Sequence, residues 1–165
     1  MIGALRRRLH RGALGAFRRS PTLVRRWIVR AAAPSYTAGA LGYLEHEGRV
    51  LLIRQVYRSG WGLPGGHLRR REPPATAVAR ELAEEVGVAV AVMGPPVTVI
   101  DPTPQRIDFV FRVRCLDPTP LPRARSVEIA ELGWFPLGDL PSLQFETRQA
   151  LAALAEVPLG GAVSR

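Results

Sequence analysis

Glu81, Glu84 and Glu85 stand at positions i, i+3 and i+4 of one short segment. If residues 74–86 are helical, these carboxylates share one face, with Val78, Leu82 and Val86 forming an adjoining apolar stripe. Like charges at this spacing destabilise an isolated helix by roughly 0.2–0.5 kcal/mol per pair. Arg80 lies one turn from Glu84 and offsets part of the repulsion, but one guanidinium does not neutralise three acids. A hard divalent cation with oxygen ligands, Mg²⁺ or Mn²⁺ before zinc, meets the remainder. The chemistry that fits is metal-assisted attack by water, because such an ion acidifies bound water and neutralises developing negative charge.

The neighbouring residues supply what a helix here needs. Pro73 and Pro74 suit a first turn, where a missing N–H costs little, and Gly87 suits the C′ position. Gly65 and Gly66 let the backbone turn sharply and bring a carbonyl near the acidic face. Gly66, five residues, Glu72, seven residues, then Arg80-Glu81-Leu82-Ala83-Glu84-Glu85-Val86-Gly87-Val88 resembles the Nudix box of the Nudix hydrolases, with every defining position filled. Gly62-Leu63-Pro64-Gly65-Gly66 is similar to the usual lead-in, and Trp134-Phe135-Pro136-Leu137 with Asp139-Leu140-Pro141 to the closing strand and turn. The likeness covers residues 36–155.

The resemblance implies an α+β fold of α/β/α sandwich type, with a mixed β-sheet between helices, preceded here by an N-terminal helical arm. It implies an Mg²⁺- (or Mn²⁺-) dependent hydrolase that cleaves the pyrophosphate linkage of a nucleoside diphosphate joined to another moiety. The carbonyl of Gly66 with Glu81, Glu84 and Glu85 would hold metal. Glu84 or Glu128 would take the proton from water. Glu128 also reads as a surface acid balancing nearby arginines. Arg80, counted with the catalytic set, and Glu72 would brace loop and helix, and Gly87 would end the helix. Arg69 and Arg71 stand where the commonest box has Glu and Gly, so Arg69-Arg70-Arg71 puts three cations beside the site or in a solvated loop.

Family substrates include ADP-ribose, dinucleoside polyphosphates, nucleotide sugars and oxidised nucleotides. Some ADP-ribose enzymes carry a proline fifteen or sixteen residues after the box, where Pro104 falls, a slight tilt toward that class. Two alternatives are an RNA 5′-end pyrophosphohydrolase and a nucleotide-binding sensor module without turnover; such modules commonly lose the acids, which are all present here. Arg54, Tyr57, Arg58 and Trp61 follow one another toward the Gly65-Gly66 loop, where they could hold a base and a phosphate or form a hydrophobic lid.

Composition sets the frame. The chain has 165 residues, 47% hydrophobic, which suffices for one core. The single cysteine, Cys115, excludes an internal disulfide and a multi-cysteine zinc site, and fits a reduced, cytoplasmic setting with a buried, inert thiol. All 23 cationic side chains are arginine, nine of them within residues 1–32, which contain no acid. The remainder balances fourteen arginines against fourteen acids, so the net charge of +9 belongs to an arm, residues 1–33, and the hydrolase domain is expected over 34–165.

Within the arm, Leu5, Leu9, Ala13 and Phe17 recur every four residues, and Leu23, Val24, Trp27, Ile28 and Ala31 repeat at helical spacing after Ser20 as N-cap and Pro21 at N1. No apolar run reaches the eighteen residues of a membrane span. The arm could lie on an anionic membrane as a peripheral contact, guide RNA or polyphosphate, make a homodimer contact, or cap the domain with its arginines in water.

Residues 36–56 read as a hairpin turning at His46-Glu47-Gly48, and VAVAVMGPPVTVI as two strands broken at Gly-Pro. In the next strand, Ile107, Phe109, Phe111 and Val113 occupy one face and Asp108, Val110, Arg112 and Arg114 the other. Residues 116–126 form a proline-rich loop, VEIAELGWF leads into a short strand, and FETRQALAALAEV reads as a helix burying Leu151 and Leu154.

Overall fold

The computed structural model describes residues 17–18, 20–117 and 121–157. The chain divides into two compact units, Met1–Ser35 and Tyr36–Arg165. In the first, helix α1 spans Thr22–Ala32, and Ala33 closes it by donating its N–H to the Val29 carbonyl at 2.8 Å. The helix starts one residue later than the sequence suggests: Pro21, with ψ 150°, is the N-cap, and its carbonyl accepts the Arg25 N–H at 3.1 Å. The expected first arm helix falls almost wholly outside the described residues.

The second unit runs β1 (Thr37–His46), β2 (Arg49–Gln55), β3 (Gly65–His67), α2 (Pro74–Glu85), β4 (Val90–Val92), β5 (Val97–Asp101), β6 (Arg106–Cys115), β7 (Ile129–Pro136) and α3 (Phe145–Glu156). Seven strands make one mixed sheet in the order β4-β6-β1-β2-β7, with β3 paired to β1 and β5 to β6. The β1–β6 pair is parallel and the others are antiparallel. The β1–β2 hairpin closes through Glu47 and Gly48, both in the left-handed region (φ 50° and 72°), as a two-residue turn matched to strand twist requires.

Strand β2 shows why a helix lies on each face. Leu51 and Ile53 join Val78, Leu82, Val86 and Phe111 in a core beneath α2. Val50 and Leu52 join Leu41, Val110, Ala150 and Leu154 in a second core beneath α3. Because both faces are covered, the strand reads as an unbroken apolar run and not as an alternating one. Each such side chain, fully buried, contributes about 1.5–3 kcal/mol. On α3 the inward row is Thr147, Ala150 and Leu154 at i, i+3 and i+7; Leu151, expected inside, is half-buried.

What positions the site is the way β1 divides its edge. Glu45 and His46 pair with β2, whereas Gly39, Ala40 and Leu41 pair with His67, Gly66 and Gly65 of β3. The Gly65-Gly66 strand is thereby clipped to the sheet beside α2. Cys115 is free, half-buried at the end of β6, and burial pushes its thiol pKa up. Among the described residues no helix is long and apolar enough to cross a membrane.

Candidate active site

Helix α2 begins at Pro74 after N-cap Pro73 and ends at Glu85; Gly87 (φ 72°) then reverses the chain, and the Val88 N–H reaches the Leu82 carbonyl at 3.3 Å. Val78 and Leu82 are buried, which turns Glu81, Glu84 and Glu85 toward β3 and the loop behind it. Leu82 presses on β1 so closely that a Cβ on Gly42 would meet its Cδ1 at 2.8 Å.

Each of the three acids has a different environment. Glu85 is 7% exposed and accepts the Gly65 N–H at 2.9 Å. Burial pushes its carboxyl up to about 7; Glu81, Glu128 and Glu84 add repulsion, and the Gly65 N–H opposes the rise. Glu81 lies against Gly66, where a Cβ would meet its carboxyl carbon at 2.7 Å. Glu84 is half-exposed and accepts hydrogen bonds from Arg69 at 3.0 and 3.1 Å and from Arg80 at 3.1 Å.

Arg80 is the hub of this cluster. Its guanidinium donates to both Glu72 oxygens at 2.7 and 2.9 Å, to Glu81 at 2.7 Å, and to the His67 carbonyl at 3.3 Å. Glu72 also accepts the Arg69 N–H at 2.8 Å. These bonds, the Arg80 side chain's first, hold the Glu72 carboxyl down to about 2. Loop 67–72 is thus tied to α2 through one arginine.

A cavity of about 570 Å³ opens where these elements meet. Gly65, Gly66, Glu81 and Glu85 form one wall, with Tyr57, Arg58 and Glu128 across from chain segments after β2 and before β7. Glu128 is exposed, and its carboxylate accepts the Tyr57 hydroxyl at 3.2 Å. Burial, then the Glu128 charge, raises the Tyr57 pKa. Arg58 pairs with Glu146 of α3. Four carboxylates line the cavity against two guanidiniums, so its field favours a cation.

The donor set is hard carboxylate oxygen on a common wall, with a Cβ-free approach at Gly66. It fits a divalent ion of the Mg²⁺ class. Among the described residues no three acids, histidines or cysteines yet converge as a ligand group, because Glu81 and Glu84 are turned onto Arg80 and Arg69.

The family model for the NUDIX domain matches residues 34–154. The chain belongs to the Nudix hydrolase family. A crystal structure of a MutT NUDIX hydrolase from Burkholderia pseudomallei is 31% identical with a TM-score of 0.60, over 73% of this chain and 99% of that one. A Nudix hydrolase structure from Nitrosomonas europaea, 23% identical over 75% and 72% of the chains with a TM-score of 0.64, shares the fold. A MutT-like protein of Streptomyces ambofaciens is 43% identical over 60 residues, 36% of this chain and 39% of that protein. The chain spans under half the length of the curated relatives it matches.

Within this Nudix domain the remaining expected positions divide. Tyr57 and Arg58 reach the cavity. Arg54 instead pairs with Glu131 across the β2–β7 ladder, and Trp61 packs edge-on against Phe135 (4.7 Å between ring centres) in the second core; neither lines the cavity. The cavity is also lined by Arg106 and Glu146, which no sequence motif marks as site residues. Arg106 Nε donates to both carboxylate oxygens of Asp108 at 2.9 and 2.7 Å, and Asp108 is 2% exposed. Gly39 makes room for this pair, since a Cβ there would collide with the Asp108 carboxylate. The one sequence signal was an acid on an otherwise buried strand, because an unpaired charge is costly there.

Proposed function

We propose that this Nudix chain is a divalent-metal-dependent pyrophosphohydrolase acting on a nucleoside diphosphate linked to another moiety, with ADP-ribose or a related nucleotide first among the compounds to test. The observation that carries the reading is the contact of Gly66 with Glu81 beside the buried Glu85 carboxyl, on the wall of a cavity that Glu128 faces. Residues 34–165 make up the hydrolase domain and 1–33 an appended arm.

The Gly66 carbonyl, Glu81, Glu84 and Glu85 would hold Mg²⁺ or Mn²⁺. When bound, the ion neutralises charge on the phosphoryl oxygens and acidifies water. Water attacks phosphorus, the bridging P–O bond breaks, and the attacking oxygen gives its proton to a carboxylate. Glu128 suits that task better than Glu84: it lines the cavity and bonds to a neutral hydroxyl, whereas Glu84 is engaged by two guanidiniums. Arg80 and Glu72 keep Glu81 and the β3 loop in register. Arg58 and Arg106, which line the cavity, would meet phosphate oxygens, and Tyr57 would stack on a base.

The test is a nucleotide panel with Mg²⁺. Purified protein should convert at least one nucleoside diphosphate derivative into two phosphate-bearing products, and Glu85→Gln should lower kcat on the order of 10³-fold while the protein stays folded. Turnover of no compound, or an active Glu85→Gln variant, would overturn the reading. Cleavage confined to triphosphorylated RNA would replace the proposed substrate class.

A further inference from the structure

Among the described residues, helix α1 carries an exposed apolar ridge. Leu23 is 77% and Trp27 72% exposed, and Val24, Ile28 and Val29 are also solvent-facing. At 3.6 residues per turn, Leu23, Val24, Trp27, Ile28 and Ala31 fall within an arc of about 140°. Arg26 and Arg30 border one edge of that arc and Arg25 the other. Phe17, Trp27 and Val29 also wall a shallow apolar hollow of about 770 Å³ with the stems of Arg25, Arg26 and Arg30. Leaving this much apolar surface in water is unfavourable by about 25 cal/mol per Å², so the ridge calls for a cover.

Charge decides what covers it. The chain has no Asp or Glu before Glu45, and nine arginines lie within residues 1–32. A second copy laid ridge to ridge would bring six α1 arginines together, three from each copy, with no acid of either arm to offset them. A phosphodiester chain would satisfy the arginines but leave Leu23, Val24 and Ile28 wet. An anionic bilayer satisfies both: the ridge enters the boundary between headgroups and acyl chains, the arginines extend along its rim to the lipid phosphates, and Trp27 sits at the depth that indole prefers.

We propose that α1 is an in-plane anchor that docks this chain on a bilayer rich in anionic phospholipid. The proposal does not depend on the hydrolase reading, since none of its residues lines the cavity among the strands.

Full-length protein is sedimented with vesicles of phosphatidylglycerol and phosphatidylcholine, or of phosphatidylcholine alone, while tryptophan emission is followed. Binding should require phosphatidylglycerol and weaken as salt rises. It should bring a blue shift that Trp27→Phe abolishes, because Trp61 and Trp134 pack against the domain cores. Arg25→Gln, Arg26→Gln and Arg30→Gln together should weaken binding on the order of 10²-fold, about five-fold per arginine. Leu23→Ser with Ile28→Ser should weaken it as well, with the thermal midpoint and soluble-nucleotide turnover unchanged. The proposal is overturned by equal binding to both vesicle types, or by serine variants that bind as the parent does. It is also overturned by a concentration-dependent dimer that the serine variants dissolve without vesicle binding, or by single-stranded RNA binding that falls with the arginines but not with the serines.

Discussion

Adding one methyl group at Gly66 should separate folding from turnover. Gly66 lies outside the left-handed region, so alanine costs its backbone nothing special. Its Cβ would meet the Glu81 carboxyl carbon at 2.7 Å and the two oxygens at 2.8 and 2.9 Å. Retreating from 2.7 Å to the ordinary contact of 3.4 Å moves the carboxyl by about 0.7 Å. The folding cost is that of an off-rotamer side chain, about 0.5–1.5 kcal/mol, so the thermal midpoint should fall by only a few degrees. A ligand displaced by most of an ångström should lower kcat on the order of 10²-fold. Gly65→Ala provides the contrast. Its φ of 143° is strained for any side chain, and its Cβ would run into the Ala40 carbonyl and lie 2.8 Å from Leu41 Cα, atoms of the sheet that cannot step aside. That variant should lose roughly 10 °C or more, or fail to fold. Melts and Mg²⁺-dependent kcat on the best panel substrate check both. If Gly66→Ala turns over as fast as the parent, or melts as low as Gly65→Ala, the placement of Glu81 is not what the glycine protects.

Three further outcomes follow from other contacts. Leu82→Ala should destabilise by about 2–5 kcal/mol and Gly42→Ala by about 1–3 kcal/mol, but the pair should cost less than their sum, because the Gly42 methyl fills space that Leu82 Cδ1 leaves; denaturant melts of the four-member cycle test this. Glu72, held to about 2 against an ordinary 4.5, binds its proton more weakly folded than unfolded, so its contribution is present above pH 4.5 and is lost as pH falls toward 2. Melts between pH 5 and 2 should therefore fall more steeply for the parent than for Glu72→Gln, and parallel curves would refute the pairing with Arg80. Arg106→Gln should raise KM about ten-fold with kcat little changed, whereas an equal loss in kcat would show that Arg106 acts on the transition state and not on binding.

Much of the local structure was legible in the chain. The Pro73-Pro74 start and Gly87 stop bracket α2 to within one residue, because capping and left-handed reversal are short-range properties. The alternation in β6 placed Phe109, Phe111 and Val113 together beneath α2, as they stand. Arg54 and Trp61 were harder to place, since nearness along the chain to Gly65-Gly66 does not say which way a strand end or turn aims its side chains. The amphipathic pattern of FETRQALAALAEV points Leu151 inward, but the buried row of α3 is Thr147, Ala150 and Leu154, in which the small Thr147 and Ala150 let the helix approach the sheet.

By itself the sequence determined the acidic face of α2, the glycines that approach it and the basic, acid-free arm, because each follows from residue type and spacing within one continuous segment. Only the tertiary structure decided that Arg106, braced by Asp108, and Glu146 line the cavity, that Glu85 is buried while Glu84 is not, and that Glu128 faces the same cavity. Those facts depend on the parallel register of β1 with β6 and on α3 closing the second face. Such pairings between distant segments are selected by the combined burial of two cores, which no local pattern encodes.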